Sequence, residues 1–325
     1  MEVFDVVIIG GGPAGCAAAV YVARKELKTL LLTDYFGGQS IISGNIHNWI
    51  GEMEISGIDL AKKLEAQVRA YSKVVEVVLE KAVSVKNIST TNKNRFCDFE
   101  VRTGKDLYIG KTVIVASGAR RRKLGILGED KLIGKGVAYC STCDAPLFVG
   151  KKVVVVGGGN AGLEAAADLL KFAAEVYLLE YKDAIKGDKA TLDEIKDNLK
   201  FKKVILNAKI IEVLGDNLVT GIKFEDTKTG ETKTLEVGGV FVMIGSIPNS
   251  EIVKNLVQTD EHGQIMINFQ HATTSHPGIF AAGDVTNDPY KQNNISVGDG
   301  VRAALAAHSY LGNRTKTSPA EEKHE

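Results

Sequence analysis

Residues 6–15 have the sequence VVIIGGGPAG, in which a short β-branched run leads directly into a glycine-rich turn. The alanine-rich residues 16–24 follow, so the pattern predicts a strand, a tight turn and a helix. Residues 30–32 predict a second strand with Asp34 at its end, at the spacing from Gly10 that is typical of a dinucleotide-binding fold. Its position near the start of the chain favours FAD. The residues expected to bind it are Gly10, Gly12, Pro13, Ala14, Gly15 and Asp34.

The same pattern returns at residues 153–162, which read VVVVGGGNAG. A helix over 163–172 and a strand over 176–179 ending at Glu180 are expected, so the chain contains two similar nucleotide-binding units. Glu180 favours NADH, because a carboxylate accepts hydrogen bonds from both ribose hydroxyls and repels a 2′-phosphate. After the second strand, only Lys182 and Lys186 could partly neutralise a 2′-phosphate, as point charges. The residues expected to bind NAD are Gly157, Gly159, Asn160, Ala161, Gly162 and Glu180.

A Cys-x-x-Cys pair, Cys140 and Cys143, lies between the two patterns with Asp144 beside it. Two thiols at this spacing can close a disulfide, and such motifs often hold one thiol at a lowered pKa. The alternatives are half of a zinc site and two unrelated buried cysteines. The pair is therefore a candidate two-electron carrier.

Three further stretches are candidates for contact with a flavin. The loop at residues 36–39 contains Gly38 and Gln39, and its glycines could admit a bulky planar ligand. Asn48 could donate a hydrogen bond to the flavin, but from chemistry alone a capped turn with a buried Trp49 is the simpler explanation. The third stretch lies near the carboxyl end, where Asp284 ends a buried strand and Gln292 precedes a helix expected over 301–311. A helix cap is the alternative role for Asp284.

The remaining pattern is mostly strands and turns. A helix is expected over 58–71, and two antiparallel meanders are expected. The basic residues 120–123 could face a phosphate, but a solvated linker explains them as well. We expect a disordered tail over 315–325. The strands of the meanders are predicted over 74–85, 96–102 and 107–109 and over 204–213, 218–226 and 234–237.

Composition narrows the class of protein. The chain has 325 residues, 44% of them hydrophobic, which is enough for two domains with buried cores. Basic and acidic residues number 40 each, so charge points neither to nucleic acid nor to an acidic membrane surface. Four cysteines are too few for a disulfide scaffold, and Cys16 and Cys97 are expected to be packing residues. We expect a reducing cytoplasmic compartment, and no apolar run reaches the length of a membrane span.

The order of these motifs along the chain resembles that of the low-molecular-weight thioredoxin reductase family. Three segments are most similar to the reductase core of the flavoprotein subunit of alkyl hydroperoxide reductase: residues 143–148, 178–180 and 289–292. That flavoprotein carries an additional N-terminal thioredoxin-like region, which we expect this chain to lack. The motifs that carry the resemblance are the two glycine fingerprints, Phe36-Gly37-Gly38-Gln39, Ala116-Ser117-Gly118, the Cys140 to Asp144 segment, Gly245-x-x-Pro248-Asn249 and Ala281-Ala282-Gly283-Asp284.

The resemblance implies an α/β fold with two Rossmann-like, three-layer ββα dinucleotide-binding domains, the second inserted in the first. The FAD domain would comprise residues 1–117 and 248–314, and the NAD(P) domain, bearing the dithiol, residues 118–247. It also implies a homodimer and a large rotation of one domain against the other. The further cofactor-binding residues that it implies are Ser117, Gly118, Gly283, Asp284 and Gln292 for FAD and Gly245 for NAD.

The resemblance also assigns roles at the dithiol. Cys143 would be the thiol on the flavin side, Cys140 would attack the disulfide of a thioredoxin-like partner protein, and Asp144 would manage the proton. Ala145 departs from the family's glycine, and the arginines that NADPH-specific members carry after the second strand are absent. The leading hypothesis is an NADH-preferring reductase. The alternatives are the same flavoprotein with another donor, such as ferredoxin, and a redox sensor whose dithiol controls the binding of a partner.

Overall fold

The computed structural model of the chain describes residues 2–43, 46–88 and 98–316. The described residues up to Arg120 and from Ile247 onward form one compact unit, called unit 1 below. Residues Arg121–Ser246 form the second, unit 2. Unit 2 is therefore an insertion within the chain of unit 1. The sequence prediction set these boundaries after residues 117 and 247.

Strands and helices alternate around each glycine-rich turn, and runs of consecutive strands follow in each unit. The strands are β1 Val3–Gly11, β2 Thr29–Phe36, β3 Val75–Val78, β4 Ala82–Asn87, β5 Phe99–Thr103, β6 Leu107–Val115, β7 Ala119–Arg121, β8 Val137–Ala138, β9 Lys152–Val156, β10 Glu175–Leu179, β11 Phe201–Ile205, β12 Ala208–Leu214, β13 Gly221–Asp226, β14 Thr232–Glu236, β15 Gly239–Val242, β16 Ser246–Pro248 and β17 Ile279–Ala281. The helices are α1 Pro13–Ala23, α2 Gly57–Arg69, α3 Glu129–Leu132, α4 Ser141–Asp144, α5 Asn160–Leu170, α6 Lys189–Lys196 and α7 Asn293–Lys316, with 3₁₀ turns at Gly38–Ile42, Ala145–Phe148, Glu251–Val253 and Gly283–Val285.

The main sheet of unit 1 has the order β3-β2-β1-β6-β5-β4, and β17 also pairs with β6. β1 is parallel to both of its neighbours, β2 and β6. Its side chains alternate between two cores, since Val6 and Ile8 pack with helix α1 while Val7 and Ile9 pack on the opposite face. A strand buried on both faces needs the continuous β-branched run seen in the sequence.

Unit 2 repeats this plan. Its parallel sheet has the order β11-β10-β9-β15-β8, and an antiparallel sheet is formed by β12, β13 and β14. Val153 and Val155 of β9 pack with Leu163 of helix α5, while Val154 packs with Ile222 of the antiparallel sheet. The unit therefore has three layers, and the chain has the α/β fold with two Rossmann-like units that the resemblance implies.

Two strands were wrongly placed in the antiparallel meanders. β3 pairs in parallel with β2, and β11 pairs in parallel with β10, so both belong to the main sheets. Before each of these strands the chain returns to the edge of the parallel sheet. The spacing of apolar residues alone does not show which sheet a strand joins. Likewise β6 continues to Val115, beyond the strand predicted over 107–109.

The last helix is longer than predicted. α7 begins at Asn293, eight residues before the predicted start at residue 301, so the predicted start was wrong. It continues to Lys316, although disorder was predicted from residue 315. The rest of that predicted tail, 317–325, and the predicted Phe96 and Cys97 lie outside the described residues. Across the described ranges, no helix is both long enough and apolar enough to cross a membrane.

Candidate functional site

The first and third glycines of both fingerprints are required by the packing of the protein itself. Gly10 has φ 112° and Gly157 has φ 117°, a region that side-chain-bearing residues rarely adopt. A Cβ at Gly15 would overlap the carbonyl oxygen of Gly10, and a Cβ at Gly162 would overlap that of Gly157. These four positions therefore explain the tight strand-to-helix turns without any ligand.

The middle glycines have no such explanation. A Cβ at Gly12 would meet only the Cα of Gly38, at 3.8 Å, and one at Gly159 would meet nothing within 4 Å. Both residues are helix N-caps, for α1 and α5, and neither helix end is capped by a side-chain hydrogen bond. An open backbone at an uncapped helix N-terminus suits the pyrophosphate of a dinucleotide. Both turns thus fit such a cofactor.

Unit 1 holds a cavity of about 680 Å³ beside its glycine turn. This volume is in the range of small-molecule and cofactor sites. Ten of the residues predicted to bind FAD line it: Gly10, Gly12, Pro13, Ala14, Asp34, Gly38, Gln39, Ser117, Gly118 and Asp284. The geometry of unit 1 therefore fits FAD, with the strand ends and the glycine turn facing one space.

Asp284 lies where two distant segments meet. Gln39 Nε2 donates a hydrogen bond of 3.3 Å to its carboxylate, and Ser296 of α7 donates one of 3.5 Å. Gly283 before it has φ 75°, and a Cβ there would come within 3.0 Å of that of Ala14. The turn at Gly283 thus brings Asp284 to the cavity. Gly283 and Gly15 both lack a side chain, which allows the turns to pack closely.

Asn48 and Gln292, both predicted to bind FAD, contact each other. Asn48 Nδ2 donates to Gln292 Oε1 at 3.1 Å, and Asn294 Nδ2 donates to the Asn48 carbonyl at 2.6 Å. Asn48 is exposed and Trp49 is half-buried. Neither Asn48 nor Gln292 is among the described residues that line the cavity. Their hydrogen bonds instead join the loop after residue 45 to the start of α7.

Sequence reasoning missed several residues of the cavity wall. Asn249 exchanges hydrogen bonds with Ser117, since its Nδ2 donates to the Ser117 carbonyl at 2.8 Å and its own carbonyl accepts from Ser117 Oγ at 2.7 Å. Arg120 donates to Asn249 Oδ1 at 2.7 Å and to Glu251 at 2.8 Å. Arg120 is exposed to solvent and also lines the cavity. The prediction of a solvated linker was therefore incomplete for this residue. The signal for Asn249 was present in its Pro-Asn motif.

In unit 2 the acid at the end of β10 holds the glycine turn. Glu180 accepts hydrogen bonds from the amide of Gly158 at 2.6 Å and from that of Lys182 at 2.8 Å. The side chain of Lys186 lies against that of Lys182, which lowers the pKa of Lys186 by competition for hydrogen bonding and by charge repulsion. The charge of Glu180 opposes this shift, so the Lys186 ammonium group lies within electrostatic range of the carboxylate.

The other predicted NAD residues surround the same turn. Asn160 Oδ1 accepts from the amide of Asp188 at 2.8 Å, which ties the turn to the segment before α6. Ala161 is exposed in the first turn of α5. Gly245 has φ 95° with open space where a Cβ would lie, and its carbonyl accepts from the amide of Arg122 at 3.1 Å. These residues leave the N-terminus of α5 accessible to a ligand.

Cys140 and Cys143 form a disulfide, with their Cα atoms 5.4 Å apart. Cys140 is the N-cap of the one-turn helix α4, and its Sγ accepts a hydrogen bond of 3.2 Å from the amide of Cys143. Burial raises the pKa of Asp144 to about 6, and the nearby Arg121 guanidinium opposes this shift. A carboxyl group with this pKa can both take and give a proton near neutral pH.

Cys16 has a packing role, as predicted. It is buried in α1, and its thiol donates to the Gly11 carbonyl at 3.3 Å. Burial, aided by the charge of Glu65, raises the pKa of Cys16 to about 12. A thiol with this pKa remains protonated and unreactive.

Comparison with known proteins assigns this arrangement to a family. The family model described as pyridine nucleotide-disulphide oxidoreductase matches residues 4–308. The chain belongs to the pyridine nucleotide-disulphide oxidoreductase family. Members of this family are flavoproteins, and membership implies FAD together with a nicotinamide cofactor.

Individual relatives within the pyridine nucleotide-disulphide oxidoreductases carry different names. The chain is 42% identical over 309 residues to the F subunit of the alkyl hydroperoxide reductase of Staphylococcus epidermidis, and 41% identical over 310 residues to a Bacillus subtilis protein named NADH dehydrogenase. Each alignment covers 95% of this chain and 59% of the relative, so the chain spans well under two thirds of their length.

A solved structure covers the chain more evenly. The thioredoxin reductase of Streptococcus pyogenes superposes with a TM-score of 0.87 at 34% identity, covering 96% of this chain and 99% of that one. The thioredoxin reductase of Giardia duodenalis gives 0.86 at 30% identity. The expected resemblance is therefore confirmed: the chain is an oxidoreductase of the type that includes thioredoxin reductase and the flavoprotein of alkyl hydroperoxide reductase.

Proposed function

We propose that this protein is an NADH-preferring disulfide reductase that passes electrons through FAD and the Cys140–Cys143 dithiol to a thioredoxin-like partner. In this proposal unit 1 binds FAD and unit 2 binds the nicotinamide cofactor. The observation that carries it is the disulfide itself, which lies next to a carboxyl group of pKa about 6 in the unit that also bears the second open glycine turn. Two nucleotide sites and one dithiol are the parts that such a relay needs.

The residues that would hold the cofactors follow from the two turns. Gly12 and the first turn of α1 would bind the pyrophosphate of FAD, and Asp284 would accept hydrogen bonds from its hydroxyl groups. Gly159 and α5 would bind the nicotinamide dinucleotide in the same way. When bound, the flavin supplies a carrier that accepts a hydride from the nicotinamide and donates an electron pair to the disulfide.

The two cysteines have different surroundings, which supports different roles. The Cys140 sulfur accepts the Cys143 amide, and a thiolate at Cys140 would be stabilised by keeping that hydrogen bond. Cys140 would then attack a partner disulfide, forming a mixed disulfide and releasing one partner thiolate. Cys143 would attack Cys140 in turn, which restores the Cys140–Cys143 disulfide and releases the second partner thiolate. The partner gains two electrons and, from solution, two protons.

Asp144 would handle the proton on the flavin side of the dithiol. A carboxylate cannot stabilise a neighbouring thiolate as a cation would, so its role is that of acid and base. Because its raised pKa of about 6 keeps part of the group protonated near neutral pH, it can donate to the Cys143 sulfur as the disulfide opens. It can accept a proton when the dithiol is oxidised again.

Glu180 supports NADH as the preferred donor. Its carboxylate is fixed by the amides of Gly158 and Lys182, so the negative charge stays where a 2′-phosphate would approach. Lys182 and Lys186 would reduce that repulsion without providing the bidentate contact that arginine gives. We therefore expect NADPH to be used, but less efficiently.

Anaerobic stopped-flow absorbance tests the whole relay. NADH should reduce the bound flavin faster than NADPH, and an oxidised thioredoxin should then reoxidise the reduced enzyme. Equally fast reoxidation by thioredoxin in a Cys140→Ser, Cys143→Ser variant would exclude the dithiol route. Failure of both nucleotides to reduce the flavin would instead indicate a non-nicotinamide donor such as ferredoxin.

The same proposal includes a cellular location and an oligomeric state. Transient disulfide chemistry is typical of reducing compartments, so we infer a cytoplasmic location. We also infer a homodimer. Light scattering of the purified holoenzyme checks the dimer, and a monomeric mass at working concentration would contradict it.

A further inference from the structure

A buried carboxylate lies near the dithiol without belonging to either nucleotide site. Glu129 of α3 is 1% exposed, and its two oxygens accept hydrogen bonds from the amides of Leu124 and Gly125 at 2.9 and 2.8 Å. A third donor is the hydroxyl of Tyr139, at 2.7 Å. Burying a carboxylate is costly unless it is hydrogen-bonded, and these three donors satisfy the buried carboxylate of Glu129.

Tyr139 connects this carboxylate to the dithiol, because it directly precedes Cys140. Its side chain is 8% exposed. Burial, together with the hydrogen bond to Glu129 and the charge of that residue, raises the pKa of Tyr139. The hydroxyl therefore remains a hydrogen-bond donor throughout the working pH range.

A second hydrogen bond fixes the residue on the other side of Cys140. The buried Ser141 donates through its Oγ to Asp168 Oδ2 of α5 at 3.0 Å. Both neighbours of Cys140 are thus anchored to different parts of unit 2, one to α3 and one to α5. We call Glu129, Tyr139, Ser141 and Asp168 the dithiol brace.

We propose that the dithiol brace positions Cys140 for closure of the Cys140–Cys143 disulfide and thereby sets the balance between disulfide and dithiol. Tyr139 and Glu129 are the main positioning residues, and Ser141 with Asp168 adds a smaller contribution. None of the four needs to touch the reacting sulfurs. This inference rests on the proposed function, since it concerns the same dithiol.

The physical reason is the loss of the covalent link on reduction. In the oxidised protein the sulfur–sulfur bond holds the cysteines with their Cα atoms 5.4 Å apart, within the normal range for disulfides. In the dithiol this segment is restrained by the packing of Ala138 and Tyr139 and by the hydrogen bonds of the dithiol brace. A backbone already fixed on both sides of Cys140 loses less conformational entropy when the bond closes again, so the brace favours the disulfide.

Exchange with dithiothreitol isolates this equilibrium from the nucleotides and from any partner protein. One disulfide and one reduced dithiothreitol give one protein dithiol and one cyclic oxidised dithiothreitol, with two electrons and two protons transferred. The holoenzyme is equilibrated in mixtures of reduced and oxidised dithiothreitol, the free thiols are alkylated in acid, and mass spectrometry gives the fraction of Cys140 and Cys143 in each state.

Tyr139→Phe removes only the hydroxyl and should shift the equilibrium constant about tenfold towards the dithiol, which corresponds to roughly 30 mV for two electrons. Glu129→Gln should shift it in the same direction. Ser141→Ala, a smaller change that still tests the brace if the Tyr139 and Glu129 variants fail to fold, should give about a threefold shift. Tyr177→Phe is the matched control, because Tyr177 donates to Glu175 at 2.9 Å elsewhere in unit 2 and should leave the equilibrium unchanged.

The outcomes separate this inference from the proposed function. If the wild-type cysteines do not exchange reversibly with dithiothreitol, the proposed relay is wrong. If they do exchange but Tyr139→Phe and Ser141→Ala match Tyr177→Phe, or shift towards the disulfide, only the brace is wrong. A shift towards the dithiol that is confined to the brace variants supports it.

Discussion

In unit 1 the amide of Gly11 donates to the hydroxyl of Thr33, at 3.0 Å, whereas in unit 2 the amide of Gly158 donates to the carboxylate of Glu180. Gly158 lies 147 residues after Gly11, and Glu180 lies 147 residues after Thr33. Glu180 therefore corresponds to Thr33 of unit 1 and not to Asp34. One fold thus satisfies the same buried amide with a neutral side chain in one unit and a charged one in the other. The proposed preference for NADH rests on this charge.

The units differ again in what the glycine turn serves. In unit 1 the glycine turn lines the cavity of about 680 Å³, and the cysteine in α1 is a buried packing residue. Unit 2 carries the disulfide and a carboxyl group with a pKa near neutrality. Under the proposed function, the duplicated architecture would bind a cofactor in each unit, whereas the redox chemistry of the protein side chains would depend on a single segment of unit 2.

The largest effect is expected at Asp144, which lies beside the dithiol of unit 2. Asp144→Asn keeps the shape but cannot transfer a proton, so formation of the dithiol by reduced flavin should slow by roughly a hundredfold or more. In the wild type this rate should fall as the pH rises through about 6, because the acid form is lost, and the variant should lack that dependence. Anaerobic stopped-flow absorbance between pH 5 and 8 measures both.

Asp130→Asn is the control for this experiment, since Asp130 is an exposed partner of Lys123 in the same unit. It should retain the wild-type rate and pH profile. An Asp144→Asn enzyme that keeps the profile would show that another group carries the proton.

The middle glycines test whether the two turns bind separate cofactors. Gly12→Ala should weaken retention of FAD about tenfold, whereas Gly159→Ala should keep FAD and raise the KM for NADH about tenfold, because each Cβ intrudes on the ligand and not on the protein. Flavin content after dialysis and steady-state kinetics measure the two effects. Gly104→Ala, at an exposed site with open space, is the control. Identical losses in both variants would contradict the division of roles between the units.

Glu180→Thr makes the second turn resemble the first. Threonine can still accept from the Gly158 amide, as Thr33 does from Gly11, but the negative charge is removed. The ratio of kcat/KM for NADPH to that for NADH should rise about tenfold. The surface variant Glu236→Gln should leave the ratio unchanged, and a ratio that also stays fixed in Glu180→Thr would mean that Glu180 does not select the cofactor.

The smallest effect concerns the two lysines beside Glu180. Lys182→Ala and Lys186→Ala should each raise the KM for NADPH about two- to threefold and leave that for NADH unchanged. Because these ammonium groups are exposed, the difference should shrink as salt is added. Equal effects on both nucleotides would assign the lysines a structural role. The measurement is steady-state kinetics at low and high ionic strength.

Much of the fold was predictable because its signals are local. The strand-turn-helix at residues 6–23 and its repeat at 153–170 follow from β-branched runs next to glycines with positive φ. The disposition of β3 and β11 was not predictable, since short apolar strands look alike whether they join a parallel sheet or a meander. Partners far apart in sequence decide that choice.

The candidate site divides in the same way. The sequence by itself determined the two open glycine turns, the Cys140–Cys143 pair with Asp144, and the acid at Glu180, because each depends on residue types at short spacing. Only the tertiary structure decided that Thr33 and Glu180 each accept a hydrogen bond from the amide of their glycine turn and that Tyr139 meets Glu129. Those relations depend on long-range pairing of strands and on which side chains become buried together, and local patterns in a sequence do not encode either.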